Sequence, residues 1–120
     1  MISIRGATTI QNDAEEEIIA STKELLQETI SANKLDINEI IAIIFTCTKD
    51  ITSTYPAKAA RDLGIINSSL MCVQEMYVEK SLMMCIRICI FYNNDHLTDK
   101  IKHIFLRKAI ILRPDLINRV

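Results

Sequence analysis

Residues 82–92 read LMMCIRICIFY, an apolar stretch that contains a single charged residue, Arg87. Successive side chains of a β-strand point to opposite faces, so the isoleucines of this stretch share one face and Cys85, Arg87 and Cys89 share the other. The isoleucine face is typical of a protein core. We therefore predict a strand with one core face and one small, sulfur-rich face that leaves room for a ligand.

Arg87 is the residue that fits this strand least. A guanidinium does not give up its charge, so in an apolar setting it must find partners. Two interpretations stay open: a structural arginine that is paired or faces solvent, and an arginine that binds a ligand. Glu75, at the end of an apolar run, and Arg5, the sole charge among the first twelve residues, are isolated in the same way.

In the rest of the chain, the pattern of apolar residues, turns and caps predicts the remaining elements. We predict strands over Met1–Thr9, Ile40–Thr48 (buried on both faces) and Leu70–Met76, and a final strand or strand pair over Ile104–Leu112. We predict helices over 13–32 and 56–63 and a helical turn over Thr98–Lys102. Asn12 or Asp13 is expected to cap the first helix. Pro56 and Gly64 bracket the second, on which Lys58 and Arg61 share a face; such pairs are usually solvated.

This order predicts an α+β fold, a mixed five-stranded sheet with one long and one short helix. One long helix covers only one face of such a sheet. The other face is also apolar, so we expect a second copy of the chain to cover it. The sequence thus predicts a homo-oligomer.

The overall composition predicts one domain over residues 1–120 and excludes several classes of function. The net charge is −1, whereas proteins that bind nucleic acid or anionic membranes show a basic excess. Residues 1–40 carry eight acids and three bases, and residues 41–120 carry seven acids and eleven bases, so the second part has a charge of +4. The only glycines, Gly6 and Gly64, cannot build a phosphate-binding loop.

Metal binding and membrane insertion are not indicated. The four cysteines form no C-x-x-C pair, and both histidines lie away from them in sequence. The residues MISIRGATT contain no apolar segment typical of a signal peptide, and the run Ile40–Thr48 is far shorter than the ~20 residues of a membrane helix. We expect a reduced, cytoplasmic protein.

The usual signatures of nucleophilic or acid–base catalysis are not indicated by local sequence. What remains is a set of arginines, a lysine and one glutamate on an apolar framework. Such a set suits the binding of a small dianion, or a reaction that needs positioning and electrostatic stabilisation without proton transfer.

Five motifs in order along the chain carry a resemblance to a known family. They are IRGATT at 4–9, PAKAAR at 56–61, CVQEM at 72–76, CIR at 85–87 and LRPDL at 112–116. Together they resemble the small monofunctional chorismate mutases of the trimeric α/β type. The resemblance runs nearly from end to end.

The resemblance implies a homotrimeric pseudo-α/β-barrel with three active sites at subunit interfaces. It implies conversion of chorismate to prephenate by a Claisen rearrangement in aromatic amino acid biosynthesis (the shikimate pathway), with no cofactor, no metal and no acid–base catalyst. The apolar second face of the sheet would then lie inside the trimer.

The resemblance also implies roles for individual residues. Arg87 would donate to the ether oxygen, Arg5 would bind a substrate carboxylate, and Glu75 would accept a hydrogen bond from the ring hydroxyl. The remaining substrate-binding residues it implies are Tyr55, Ala57, Lys58, Arg61, Met71, Cys72 (through its backbone N–H), Phe105 and Leu112.

Three of these positions depart from the family pattern. Phe105 stands where the family usually has a tyrosine that contacts a substrate carboxylate, so one hydrogen bond is expected to be missing. Met71 replaces a small polar residue, and Tyr55 replaces a phenylalanine. The segment after Leu116 is shorter than the family's tail, which helps to cover the site.

The alternatives are a trimeric small-ligand-binding or imine-deaminase-like protein with an interface cleft, and a purely structural or protein-interaction module. The first explains Arg87 and the oligomer, yet not Glu75 together with Arg5 and the PAKAAR helix. The second treats the arginines as ion pairs.

Overall fold

The computed structural model describes residues 1–95 and 100–117. Its strands are β1 (Ile2–Thr9), β2 (Ile40–Cys47), β3 (Ser69–Gln74), β4 (Cys85–Tyr92) and β5 (Ile104–Phe105), and its α-helices are α1 (Glu15–Asn33), α2 (Ala57–Asp62) and α3 (Pro114–Ile117). Two 3₁₀ helices cover Ile37–Glu39 and Arg107–Ile111.

The strands form one mixed sheet in the order β3-β2-β4-β1-β5. The central strand β4 pairs antiparallel with β1 and β2, while β3 and β5 are added parallel at the two edges. This confirms the predicted fold class, a mixed five-stranded sheet with a long and a short helix.

The face of the sheet that meets the helices holds the main core. Ile4, Ile43 and Ile90 are fully buried there, and they pack with Leu25 and Leu26 of α1. The isoleucine face of β4 is therefore the core face, as its alternation predicts.

The opposite side, which we call the open face, meets neither α1 nor α2, and the 3₁₀ helix Arg107–Ile111 covers only its end at Ala7 and Cys85, through Ala109. Ile44 is half-buried there, and Met71 (59% exposed) and Val73 (42% exposed) are open to solvent. The prediction that Ile40–Thr48 is buried on both faces is therefore wrong for the single chain, because only the helix-facing residues of β2 have a packing partner.

The predicted cap of α1 is wrong. Its N-cap is Ala14, with no side-chain hydrogen bond. The carboxylate of Asp13 instead accepts hydrogen bonds from the hydroxyl of Thr52 (2.7 Å) and from the N–H groups of Thr52 (3.0 Å) and Ser53 (3.1 Å), and these bonds, the Thr52 hydroxyl first, lower its pKa. Glu17, in the first turn, accepts the N–H of Gln11 at 2.5 Å. Asp13 thus fixes the loop before α2 rather than the helix next to it.

The end of α1 agrees with the prediction. Lys34 adopts a left-handed conformation, and the N–H of Leu35 bonds to the carbonyl of Ile30, which closes the helix. Asn33 is buried, and its side chain exchanges hydrogen bonds with the backbone of Lys102. The helix is thereby tied to the segment that enters β5.

The short helix α2 confirms the interpretation of PAKAARDLG. Pro56 is its N-cap, and Gly64 follows it with φ 86°, a conformation that glycine adopts without strain. Ala59 and Ala60 are fully buried, so the small side chains let the helix lie close to the sheet.

The predicted strand Ile104–Leu112 is wrong beyond its first two residues. After β5 the N–H of Leu106 bonds to Ala7, and Arg107 (φ 52°) then turns the chain into a 3₁₀ helix. The predicted strand Leu82–Tyr92 begins only at Cys85. In the predicted turn Thr98–Lys102, residues 98 and 99 lie outside the described residues, and 100–102 are not helical.

None of the helices in residues 1–95 and 100–117 combines the length and the apolar character needed to cross a membrane.

Gly6 marks the closest approach between β1 and β5. A Cβ at this position would lie 2.8 Å from the carbonyl oxygen of Ile104 and 3.1 Å from Leu25. We expect Gly6→Ala to destabilise the fold by about 1–3 kcal/mol, because backbone atoms must move. Urea unfolding measures this effect, with Ser3→Ala on the exposed side of β1 as the control. If Gly6→Ala were as stable as Ser3→Ala, β5 would be able to move away from the added methyl group without cost.

Candidate active site

A row of charged side chains crosses the open face at its centre. Arg87 on β4 lies in register with Ala7 of β1 on one side and with Thr46 of β2 on the other, and Arg5 lies in register with Cys89. The pleat points Arg5, Arg87 and Cys89 to the same side of the sheet. The strand alternation predicted from the sequence therefore brings both arginines to one surface.

Glu75 joins this row from the end of β3. Its N–H donates to the carbonyl of Cys47 at 2.8 Å, which continues the β2–β3 pairing. Its Oε2 lies 3.8 Å from Nη1 of Arg87, and its Oε1 accepts a hydrogen bond from Oγ1 of Thr46 at 2.5 Å. Arg87 and Glu75 are 38% and 28% exposed, so both charges keep contact with solvent.

The two arginines line a cavity of about 170 Å³. The other lining residues are Gly6, Ile44, Thr46, Ile88, Cys89, Phe105 and Arg113. Arg113 is held by Asp115 through two hydrogen bonds of 3.1 and 2.9 Å. We use the name cationic group for the three arginines Arg5, Arg87 and Arg113 together with the two residues beside them, Glu75 and Phe105.

Phe105 is buried at one wall of this cavity. It packs with Ala7, Cys85 and Ala109, and Leu112 lies against the same cluster. The wall is therefore apolar where a tyrosine would present a hydroxyl. Leu112 reaches the site through its contact with this cluster.

The remaining predicted residues form a second set along α2 and β3. We call Tyr55, Ala57, Lys58, Arg61 and Cys72 the α2–β3 group. Tyr55 and Cys72 line a separate cavity of about 440 Å³, which shares no lining residue with the first. Met71, on the open face in register with Ile44, belongs to neither set.

The members of the α2–β3 group differ in exposure. Tyr55 is 71% exposed, whereas Ala57 is buried. The ammonium of Lys58 donates to Glu15 at 2.8 Å, and this bond raises its pKa. Burial raises the pKa of the Cys72 thiol, although the N–H of Ala57 and the charge of Arg61 act in the opposite direction.

The thiols near the cavities are poor nucleophiles. Burial raises the pKa of Cys47 to about 12 and that of Cys85 to about 11. The pKa of Cys89 is also raised by burial, against the nearby charge of Arg5. Since the thiolate is the reactive form, these groups are unsuited to covalent catalysis at neutral pH.

No group of three or more His, Cys, Asp or Glu that could hold a metal ion occurs within residues 1–95 and 100–117. The cationic group can hold an anion and can place positive charge beside a developing negative one.

The sequence alone did not identify Thr46 as part of the site. Thr46 sits in the run IIAIIFTCT, where a threonine is ordinary for a strand. Its position becomes informative only through the pairing of β2 with β4, which the sequence does not reveal.

Comparisons with known proteins identify the family of the chain. The family "Chorismate mutase type I" matches residues 1–116. The chain is 42% identical over 114 residues to "Chorismate mutase AroH" of Thermus thermophilus (94% of this chain, 93% of the relative). It is 40% identical over 114 residues to "Chorismate mutase AroH" of Bacillus subtilis strain 168 (94% and 90%).

A solved structure, "Chorismate mutase from Clostridium thermocellum Cth-682", superimposes with a TM-score of 0.90 at 42% identity. The match covers 92% of this chain and 99% of that one. The chain therefore belongs to the type I chorismate mutase family, and its activity is that of an isomerase.

Proposed function

We propose that the chain, as one domain, converts chorismate to prephenate by positioning the substrate and stabilising its transition state with Arg87. The observation that carries this proposal is the pairing of Arg87 with Glu75 beside a small cavity that Arg5 also lines. Chorismate offers two carboxylates, a ring hydroxyl and an ether oxygen. Cations suit the carboxylates and the ether oxygen, and a carboxylate suits the hydroxyl.

The reaction needs no proton transfer from the protein. One C–O bond breaks while one C–C bond forms within the same molecule, and negative charge grows on the ether oxygen. A fixed guanidinium aimed at that oxygen is more strongly attracted in the transition state than in the ground state, which is the condition for acceleration. The unreactive thiols and the chemistry of the side chains fit such a mechanism.

Four residues of the cationic group, together with Leu112, have a proposed task. Arg87 donates to the ether oxygen and helps to bind a carboxylate, and Arg5 binds a carboxylate from the neighbouring strand. Glu75 accepts a hydrogen bond from the ring hydroxyl. Phe105 and Leu112 supply an apolar wall, with one hydrogen bond fewer than a tyrosine would give.

We further propose that the α2–β3 group completes the site from another subunit of a homotrimer. Two facts support this: Tyr55 and Cys72 of this group line a cavity separate from the one that the arginines line, and the open face leaves Met71 and Val73 in solvent. Contact between copies would cover this face and join one subunit's cationic group to the next subunit's Lys58, Arg61 and Cys72.

We place the enzyme in the cytoplasm, in aromatic amino acid biosynthesis, with no cofactor, metal, nucleic acid or membrane as partner. The family match favours chorismate as substrate over the ligand of an imine-deaminase-like protein. The loss of chorismate absorbance in the ultraviolet tests the activity directly; a rate equal to the uncatalysed one would contradict the proposal.

The first prediction concerns Arg87. We expect Arg87→Ala to lower kcat/KM at least a hundredfold, or by about 3 kcal/mol or more, because the charge beside the ether oxygen is lost. Lys23→Ala is the control: it removes the same charge from the outer face of α1, where Lys23 pairs with Asp62, and it should retain the wild-type rate. Near-wild-type turnover of Arg87→Ala would rule out the electrostatic role.

The second prediction concerns the missing hydroxyl. We expect Phe105→Tyr to lower KM for chorismate about 2- to 10-fold, the range of one net hydrogen bond. Phe105→Leu is the comparison, because it also changes the wall but adds no donor and should not lower KM. Unchanged or weaker binding by Phe105→Tyr would show that this wall does not face a carboxylate.

The third prediction tests the shared site. We expect Arg87→Ala and Arg61→Ala, each of low activity alone, to recover about a quarter of wild-type activity when co-expressed in equal amounts, because a quarter of the interfaces then join two intact groups. Arg87→Ala with Arg5→Ala is the control, since both changes damage the same group and no interface is intact. Absence of recovery in mixed oligomers of trimer mass would contradict an inter-subunit site.

A further inference from the structure

The hydroxyl of Thr46 contacts the carboxylate of Glu75, and the sequence alone does not reveal this contact. Its Oγ1 lies 2.5 Å from Oε1 of Glu75, a short hydrogen bond of the kind that a hydroxyl donates to a carboxylate. The other carboxylate oxygen, Oε2, faces Arg87. The two oxygens of Glu75 thus have different partners, and each partner comes from a different strand.

This contact matters because Glu75 lies just beyond the end of β3. Its backbone N–H is held by Cys47, yet a glutamate side chain has several rotatable bonds that a backbone contact does not fix. Thr46 lies in register with Arg87 on one side and with Val73, two residues before Glu75, on the other. Its hydroxyl therefore lies where it can hold the carboxylate toward the cationic group.

We propose that Thr46 is a positioning residue for the rearrangement and acts through Glu75; this inference rests on the proposed function. The hydroxyl holds Oε1, so that Oε2 stays directed at Arg87 and at the position of the substrate hydroxyl. Without it, the carboxylate turns among several orientations. Substrate and transition state then both lose part of their hydrogen bond, and Arg87 loses a fixed neighbour.

Thr46 also lines the cavity, so a direct contact between its hydroxyl and the substrate is the main competing explanation. The two explanations, action through Glu75 and direct contact with the substrate, predict different results when Glu75 is changed. A residue that acts through Glu75 has nothing left to act on when the carboxylate is removed, whereas a residue that touches the substrate keeps its effect. A double-mutant cycle separates these cases.

The experiment compares wild type with Thr46→Val, Thr46→Ser, Glu75→Ala and the double variant Thr46→Val/Glu75→Ala; alanine leaves no acceptor for the Thr46 hydroxyl, whereas glutamine would keep one. Valine keeps the shape and strand preference of threonine and lacks only the hydroxyl, and serine keeps the hydroxyl. We expect Thr46→Val to lower kcat/KM about tenfold, as for a hydrogen bond to a charged group. Thr46→Ser should stay within about twofold of wild type.

A positioning role predicts two further results. Thr46→Val and Glu75→Ala should change the same parameter, kcat or KM, in the same direction, with the smaller change in Thr46→Val. The double variant should have the same kinetics as Glu75→Ala alone. Thermal unfolding and the mass in solution establish that each variant is folded, and Thr46→Ala serves as the apolar variant if Thr46→Val does not fold.

Three results would overturn the proposal: wild-type kinetics in Thr46→Val, an equal loss in Thr46→Ser, or the same loss from Thr46→Val in the Glu75→Ala background as in wild type. The third would assign Thr46 to direct substrate contact. A wild-type chain without mutase activity contradicts the proposed function itself and the Thr46 role with it. An active wild type with an unaffected Thr46→Val contradicts the Thr46 role alone.

Discussion

The permanent charge of Arg87, in the middle of the central strand, is the constraint to which the rest of the site is fitted. A guanidinium cannot be buried unpaired, so the sheet must offer it a carboxylate and access to solvent. The strand order β3-β2-β4-β1 places Glu75, at the end of β3, across β2 from Arg87, and it places Arg5 on the neighbouring strand β1. Both partners of the Arg87–Glu75 pair keep contact with solvent. The distance between cation and carboxylate is thus set by strand spacing rather than by a flexible loop.

Much of the fold could be predicted because its elements rest on local patterns. The alternation in residues 82–92, the helical spacing of α1, and Pro56 and Gly64 around α2 each identify an element within one window of sequence. The predictions fail where contacts with residues distant in sequence determine the local structure. Asp13 has a side chain suited to cap a helix, yet its carboxylate accepts hydrogen bonds from Thr52 and Ser53 instead. The apolar segment 104–112 suits a strand or a 3₁₀ helix equally, and the left-handed turn at Arg107 decides between them.

The candidate site likewise contains residues that could be predicted from the sequence and residues that could not. Arg5, Arg87 and Glu75 could be singled out because isolated charges on apolar elements are unusual, and the structure brings them to one face. Thr46 could not be found, since its role follows from register across two strands. The separation of Tyr55, Lys58 and Arg61 from the cationic group was equally hidden, because sequence spacing does not say which side of the sheet a helix covers.

The distribution of charge explains how a chain of net charge −1 can suit a dianion. Acidic side chains of α1 pair with cations on the outside of the molecule: Glu15 with Lys58 and Glu24 with Arg107. On the open face, Arg5, Arg87 and Arg113 line one small cavity, with Glu75 and Asp115 as the carboxylates that contact two of them. The pair between Lys58 and Glu15 is exposed, and water screens such pairs strongly, so Glu15 holds the ammonium only weakly. A near-zero total charge gives the whole surface little attraction for polyanions, whereas the field inside one cavity can still be positive.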